Sequence, residues 1–508
     1  MGRFPGRCLL LWLLATVLPA PGRGAAAQHP APGGGIDSFA LRAHTYFLSH
    51  DLLEGRGTGA RGADVAALYL ATQAAQLGLT GAAADGGFFQ SVPIVEATIT
   101  RQGLELLYPD SSGAYTRSTR VRADLFLYNV GTAQTLVAFG GELAFVGTAA
   151  EVLARAGRLP VLTGRVALMR GVFGAEAAAA DTLRARGAVG VVHLVGNEDL
   201  FTLYVRSRGP SRLFLAPEAG APSSFIPGLP SLIVHPRLEA ELLAGRTGAE
   251  GDSAFAVPGR RIQVSVATAL RRLAARNVVA RLPGRDAAQR DEQVVYTAHY
   301  DHLGISSPGE RGDSIYNGFS DNAAGCAMLL AIAQALAARP PGRSVLFLWF
   351  TGEERGLLGS DYFVAHPPVS PARLVGVINL DAGAPPAPAV TWRVAGGTRS
   401  TLGAVVVDVA RRAGWEATLA PATPNTDYFP FLRIGVPAVF LVPGPGAYEN
   451  LTSDSSNALR RRWDRYHQAG DHWAPDFPFA GLVRYADFAL RLGVALADGP
   501  RPAMHGPR

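Results

Sequence analysis

A chain of 508 residues with 48% hydrophobic and 17% charged residues exceeds one ordinary domain and is too apolar for a disordered polymer, so it encodes a globular protein with an ample core. The net charge of +6 rests on arginine alone, since the sequence contains no lysine, and those arginines are scattered among Ala, Gly and Pro instead of forming a basic stripe. The pattern is that of a bacterial-looking codon bias, and it excludes a nucleic-acid partner.

In chain order, the first feature is a processing signal. Arg3 and Arg7 precede an apolar run from Cys8 to Val17, Pro19 and Pro21 interrupt it, and Ala25 to Ala27 supply the small residues of a cleavage site. Residues 1–27 therefore read as a signal peptide, and the product as an exported protein, periplasmic or extracellular. The run is short for a bilayer, and no later run of about 20 uninterrupted apolar residues follows, so no stable membrane insertion is expected after signal removal; a retained anchor is the alternative. Cys8 leaves with the signal. Cys326 then stands alone among Ala324, Ala327, Met328 and Leu329, the setting of an inert buried thiol.

A Pro/Gly linker spans Pro30 to Gly35. Residues 36–124 form the N-terminal part of the main domain, with two helices expected between Ile36 and Gln90, separated by the turn-rich Glu54-Gly-Arg-Gly-Thr-Gly-Ala-Arg61. Over residues 125–268 the pattern changes to short strands, at Leu125–Tyr128, Leu136–Phe139, Val166–Met169, Val189–Val192 and Ile262–Val266, with one helix at Ala175–Arg186. This stretch reads as a β-rich insert. Over residues 269–498, strands alternate with helices: Val294–Ala298, the helix Asn322–Ala338, then Val345–Phe350. That alternation predicts an α/β domain, a central mixed and mostly parallel sheet flanked by helices. Residues 499–508, rich in Pro and Arg, are expected to be a disordered tail.

The polar residues that could carry chemistry sit where the apolar strands end. His299 follows Val294–Ala298, Glu353 and Glu354 follow Val345–Phe350, Asp381 follows Val375–Leu380, and Asp321 opens an Ala-rich helix. In an open α/β sheet that edge is the usual active site. Imidazole and carboxylate groups are the ligands that borderline divalent metals such as zinc accept, so His299, Asp321, Glu354, Asp381 and His467 are candidate metal ligands. An isolated acid at such a place is commonly a helix cap or turn former. Three repeats of strand followed by ligand are not explained that way.

The segments Ala298-His-Tyr-Asp-His302, Asp321-Asn-Ala-Ala-Gly325, Thr351-Gly-Glu-Glu-Arg-Gly-Leu-Leu-Gly-Ser-Asp361, Asn379-Leu-Asp381 and Tyr466-His467 resemble the zinc exopeptidases of peptidase family twenty-eight, which includes secreted bacterial aminopeptidases and glutamate carboxypeptidase. The likeness covers the N-terminal helices and about Asn277 to Leu496. It implies two Zn2+ per chain, with Asp321 bridging, His299 and Asp381 completing one ion, and Glu354 and His467 the other. Glu353 is then the general base and Tyr466 a phenol near the oxyanion. Asp301 is expected to accept the second ring proton of His299, and the resemblance also implies a cis peptide after Asp321.

Some positions stay open. His472, in Asp471-His472-Trp473, competes with His467 as the last ligand, and His302 should face away from His299 if the strand continues. Where relatives carry Ser-Asp-His, this chain has Asn425-Thr-Asp-Tyr428, which leaves Asp427 and Phe431 as candidate lining residues only. The insert resembles a protease-associated domain in Gly164-Arg-Val-Ala-Leu-Met-Arg-Gly171 and Ala175 to Leu194, a type of module that gates or selects substrates. The expected activity is removal of N-terminal residues from peptides. A carboxypeptidase of the same fold, a mono-zinc glutaminyl cyclase-like transferase and a non-catalytic receptor or scaffold relative are the other readings. Side-chain preference and oligomeric state have no motif to read.

Overall fold

Val294–Ala298 and Val345–Phe350 lack the polar alternation of a half-wetted strand, and each belongs to a strand buried on both faces. In this computed structural model, which describes residues 35–129, 134–171, 176–209, 211–220, 229–246, 254–306, 308 and 312–506, the strand Gln293–His299 pairs in parallel with Ser344–Phe350 on one side and Leu374–Asn379 on the other. The expected signal peptide, residues 30–34 of the linker and residue 175 lie outside the described residues. Leu374–Asn379 is followed across the sheet by Ala438–Pro443 in parallel, then by Thr391–Ala395, antiparallel to it, and Glu416–Ala420. On the opposite side Val278–Leu282 runs antiparallel to Ser344–Phe350. The sheet is thus mixed and, at its centre, parallel, as expected.

Alternate residues of these strands feed two cores. Val294, Tyr296, Ala298, Phe347 and Trp349 point to the face covered by the helices Ser38–Leu48, Arg61–Gln76, Ala324–Ala338 and Ala480–Asp498. Val295, Leu346, Leu348 and Phe350 point to the other, against Phe363, Tyr428 and Phe431. Ala324–Ala338 is apolar all round and buried almost along its length, which is how a helix packed on every side reads. With the turn before it, Phe319–Ala338, it has the length and composition of a membrane span, but 83% of it is buried inside the protein.

The stretch over residues 125–268 carries the expected strands and the helix Glu176–Ala185, with more helix than expected. Its strands Leu136–Thr148, Val166–Arg170, Gly190–Leu194 and Ser231–Val234 run parallel to one another, with Phe126–Asn129 antiparallel at the edge. Parallel neighbours need crossovers, and the helices Ala149–Ala154, Glu176–Ala185 and Glu198–Arg208 lie in them, where one helix had been expected. Short, Ala-rich or polar segments such as Glu198–Arg208 carry too weak an apolar stripe to be read as helix from periodicity. A single strand, Phe255–Leu282, links the two regions. Its first half pairs with Leu136–Phe145, its middle with Phe89–Leu107 and its last residues with Ser344–Phe350.

The C-terminal tail is also corrected, since through residue 506 it is docked. Thr401 N–H donates to the Ala503 carbonyl at 2.9 Å, His505 N–H donates to Arg399, and Arg501 donates to the carbonyls of Ala372 and Leu374. Its prolines remove donors, but the arginine supplies others, so composition alone misread it.

Gly325, the last residue of Asp321-Asn-Ala-Ala-Gly325, lets the buried helix approach the end of a strand. A Cβ there would lie 2.3 Å from both the Leu380 carbonyl and the Asn322 side chain. Gly325→Ala should therefore destabilise the protein by about 1–3 kcal/mol, despite the roughly 1 kcal/mol that alanine gains over glycine in a helix. Urea unfolding checks this, and parental stability in the variant would refute the close approach.

Candidate metal centre

Register explains the clustering. Thr297 pairs with Asn379 and His299 with Phe350, so two residues further on Asp381 stands beside His299, and Glu353 and Glu354 follow just beyond. His299 Nε2 lies 2.9 Å from Asp381 Oδ1 and 3.1 Å from Asp321 Oδ1. The other oxygen of Asp321, Oδ2, is 3.1 Å from His467 Nε2, which is itself 3.1 Å from Glu354 Oε2. One carboxylate thus divides its two oxygens between two imidazoles. Ligand atoms of His299, Asp321 and Asp381, and those of His302, Asp321 and Glu354, lie within 4.8 Å of one another. All five sequence-predicted ligands converge.

Asp321 sits in a wide turn, Phe319–Ala323, and its peptide bond to Asn322 is cis. Asp471 holds that turn: its carboxylate accepts from Ser320 N–H at 3.0 Å and Asp321 N–H at 3.2 Å. In Asp471-His472 it is therefore the acid that serves the site, while His472 is solvent-exposed and His467 reaches the carboxylates. Asp381 is steadied by the Thr426 hydroxyl, which also accepts from Asn379 Nδ2 at 2.8 Å.

Two expectations for the histidine segment change. The strand ends at His299, so alternation does not reach His302, and its Nδ1 turns in to meet Glu354 Oε1 at 2.6 Å. Asp301 is not joined to His299 through its carboxylate, which is 3.8 Å away; His299 Nδ1 instead meets the Asp301 backbone carbonyl at 3.0 Å. The Asp301 carboxylate accepts from the Thr58 hydroxyl at 2.6 Å and from Glu353 N–H at 3.2 Å. Nothing in the sequence marked Thr58 except its glycine-rich surroundings, and Asp471 was overshadowed by the histidine beside it.

The electrostatics are those of crowded buried acids. Burial, with Asp381, Asp427 and Glu354 nearby, pushes the Glu353 carboxyl well above the usual range, and burial raises Asp381 as well. Burial opposes the charge on Asp321, but hydrogen bonds from His299 and His467 outweigh it and hold that carboxyl well below the usual range. Burial likewise opposes a charge on His467, yet its bonds to Asp321 and Glu354 raise it to about 10.

A cleft of about 500 Å3 opens over these groups, lined by His299, Asp321, Glu353 and Asp381 and also by Tyr448, Trp463, Asp464 and Tyr466. Tyr466 is 63% exposed, and its ring stacks on His467 with centroids 3.9 Å apart. Asn425 and Thr426 reach the cleft, whereas the expected lining residues Asp427 and Phe431 do not. Phe431 belongs to the core with Phe350 and Phe363, and buried Asp427 accepts from Ser360 Oγ at 2.5 Å.

A metal ion and a proton compete for the same His467 nitrogen. With His467 raised to about 10, zinc binding near pH 7 should release protons, and affinity should climb as pH rises toward that value. Calorimetry in buffers of different ionisation enthalpy measures the release; pH-independent affinity with no proton release would contradict the geometry.

Residues 277–490 match the family model described as Peptidase family M28. Among curated proteins, a probable zinc metalloprotease of Leptosphaeria maculans is 31% identical over 105 residues, 21% of this chain and 23% of that protein. Aminopeptidase YwaD of Bacillus subtilis is 36% identical over 74 residues, 14% of each. The matched part thus spans less than a third of either relative. Among solved structures, an aminopeptidase from Aneurinibacillus sp. strain AM-1 superposes with a TM-score of 0.57 at 18% identity, over 93% of this chain and 97% of that one. BSAP, a zinc aminopeptidase from Bacillus subtilis, does so at 0.50 and 18%, over 92% and 96%. At such identity the structural likeness concerns the fold, while the match to the model of Peptidase family M28 is one of sequence and takes in His299, Asp321, Glu354, Asp381 and His467.

Proposed function

We propose that this protein is an exported zinc aminopeptidase that holds two zinc ions and removes N-terminal residues from peptides. The observation that carries the reading is the divided carboxylate of Asp321, with Oδ1 3.1 Å from His299 and Oδ2 3.1 Å from His467. The donor set fits zinc, being imidazole nitrogen and carboxylate oxygen only, and the packed acids need a cation close by. His299, Asp321 and Asp381 would hold one ion, and Asp321, Glu354 and His467 the other. His302, 2.6 Å from Glu354, would orient that ligand.

When bound, the pair of ions would polarise the scissile carbonyl and acidify the attacking water. The chain's own groups do the rest. Glu353, held through its backbone N–H by Asp301 and bordering the cleft, would take the proton from that water and return it to the departing amine. Tyr466, which also borders the cleft and stacks on His467, would donate its phenol to the oxygen on which charge develops.

The amino end is favoured over the carboxyl end by the arginine in the cleft. Arg460 Nη1 donates to Asn457 Oδ1 at 3.0 Å, Nη2 donates to the Gly446 carbonyl, and the group lies 4.4 Å from the Tyr448 ring centroid. A guanidinium so engaged is poorly placed to clamp a terminal carboxylate. The names of the structural neighbours, both aminopeptidases, point the same way.

A peptide-library digest tests the reading. Trimming from the N-terminus, abolished by a chelator and restored by zinc, is expected, with about two zinc ions per chain by elemental analysis. Glu353→Gln should lower kcat by roughly 100-fold or more while keeping its zinc. Full activity in that variant would remove Glu353 from the mechanism. One ion per chain, with cyclisation of N-terminal glutamine, would favour the transferase.

A further inference from the structure

The sequence motif that the proposed chemistry leaves unused is Glu54-Gly-Arg-Gly-Thr58. Three successive residues of it, Glu54, Gly55 and Arg56, have φ of 51°, 64° and 50°, a left-handed run that non-glycine residues adopt only where their surroundings enforce it. Gly55 cannot be replaced there: a Cβ would lie 2.4 Å from the Tyr316 carbonyl and 2.6 Å from that of Gly304. The loop is pressed against both segments that bear the first ligands.

Its side chains complete the contact. Arg56 is fully buried and spreads its guanidinium over backbone carbonyls, with Nε to Tyr300 at 2.7 Å, Nη1 to Asn317 at 2.6 Å and to Leu48, and Nη2 to Gly318 at 2.9 Å. Tyr300 follows His299, and Gly318 lies three residues before Asp321. Arg56 also accepts His302 N–H on its own carbonyl at 3.1 Å. Burial opposes its charge, and Asp321, Asp471 and Asp301 are among the acids that favour it. Thr58 donates to Asp301 Oδ2 at 2.6 Å, and the other Asp301 oxygen receives Glu353 N–H.

We infer that the Glu54–Thr58 loop is the positioning element of the centre, with Arg56 fixing the spacing of the His299 and Asp321 segments and Thr58 locking Asp301, and through it Glu353 and Glu354. The inference rests on the metallopeptidase reading. Neither residue touches substrate or metal; both are positioning residues. Buried partners of this kind orient ligands, and their loss typically weakens metal binding about 10- to 100-fold.

Thr58→Val keeps shape and removes the hydroxyl, Thr58→Ala removes it without any possibility of a clash, and Thr58→Ser restores it. On the full chain, zinc affinity is measured by competition with a chromophoric chelator, the visible spectrum of the cobalt(II)-loaded protein reports ligand geometry, and kcat and KM are taken on a peptide substrate. Thr58→Val and Thr58→Ala should each bind zinc about tenfold more weakly, with an altered cobalt spectrum and a lower kcat at unchanged KM, while Thr58→Ser stays close to the parent. Parental zinc affinity and spectrum in both hydroxyl-free variants would overturn the inference, as would a loss in Thr58→Ser as large as in Thr58→Val. A parent that binds zinc but cleaves no peptide would instead overturn the functional reading, and the affinity comparison would still decide the role of the loop.

Discussion

Asp321, Glu353, Glu354 and Asp381 are carboxyl groups drawn into one largely buried place, and like charges at such separations repel strongly where water is excluded. Something positive must stand among them. Histidine nitrogens supply part of it, since His299 and His467 each lie about 3 Å from two of these acids. A divalent cation offers more charge in the same volume and needs no proton. The rest of the fold serves to hold acids where, unassisted, they would move apart.

The scaffold that does so is apolar and stiff. The strands ending at His299, Phe350 and Asn379 are hydrogen-bonded side by side, so their C-terminal ends share one register and place His299 and Asp381 next to each other. Asp321 comes from a different element and needs separate restraint, which Asp471 provides through the backbone N–H groups of Ser320 and Asp321. Asn322 ties the same turn to the Leu380 carbonyl at 3.0 Å. A side chain on a strand end is positioned by the sheet, whereas one on a turn is positioned by side chains that answer the turn's free amides.

This difference also sets what could be read in the sequence. Strands buried on both faces announce themselves as unbroken apolar runs, and a polar residue directly after such a run is conspicuous, which is why His299, Glu353, Glu354 and Asp381 were legible. The groups that restrain them were not. Thr58 reaches Asp301 across 243 positions of sequence, and Asp471 reaches Ser320 across 151, distances at which periodicity carries no information. His302 turns inward, against the strand alternation, because the strand stops at His299. In residues 125–268 the expected strands and the helix Glu176–Ala185 form, and only the weakly amphipathic helices Ala149–Ala154 and Glu198–Arg208 were hidden; the tail docks through hydrogen bonds to residues distant in sequence, which composition does not show.

The two halves of the centre are not equivalent. His299 and Asp381 are almost inaccessible, anchored by the Asp301 carbonyl and the Thr426 hydroxyl on rigid strand ends. On the second half, Glu354 is equally buried, but its partner His467 stands in a loop after the helix Ser453–Trp463, has a left-handed φ of 55° and is 37% exposed. Tyr466, whose ring stacks on it, is itself open to solvent. The half held by strands is therefore fixed, and the other half depends on His467, a candidate ligand on a partly exposed loop beside Tyr466. Under the proposed reading, a peptide that displaced Tyr466 would also press on the imidazole stacked against it, so the partly exposed half would answer to substrate in a way that the strand-held half would not.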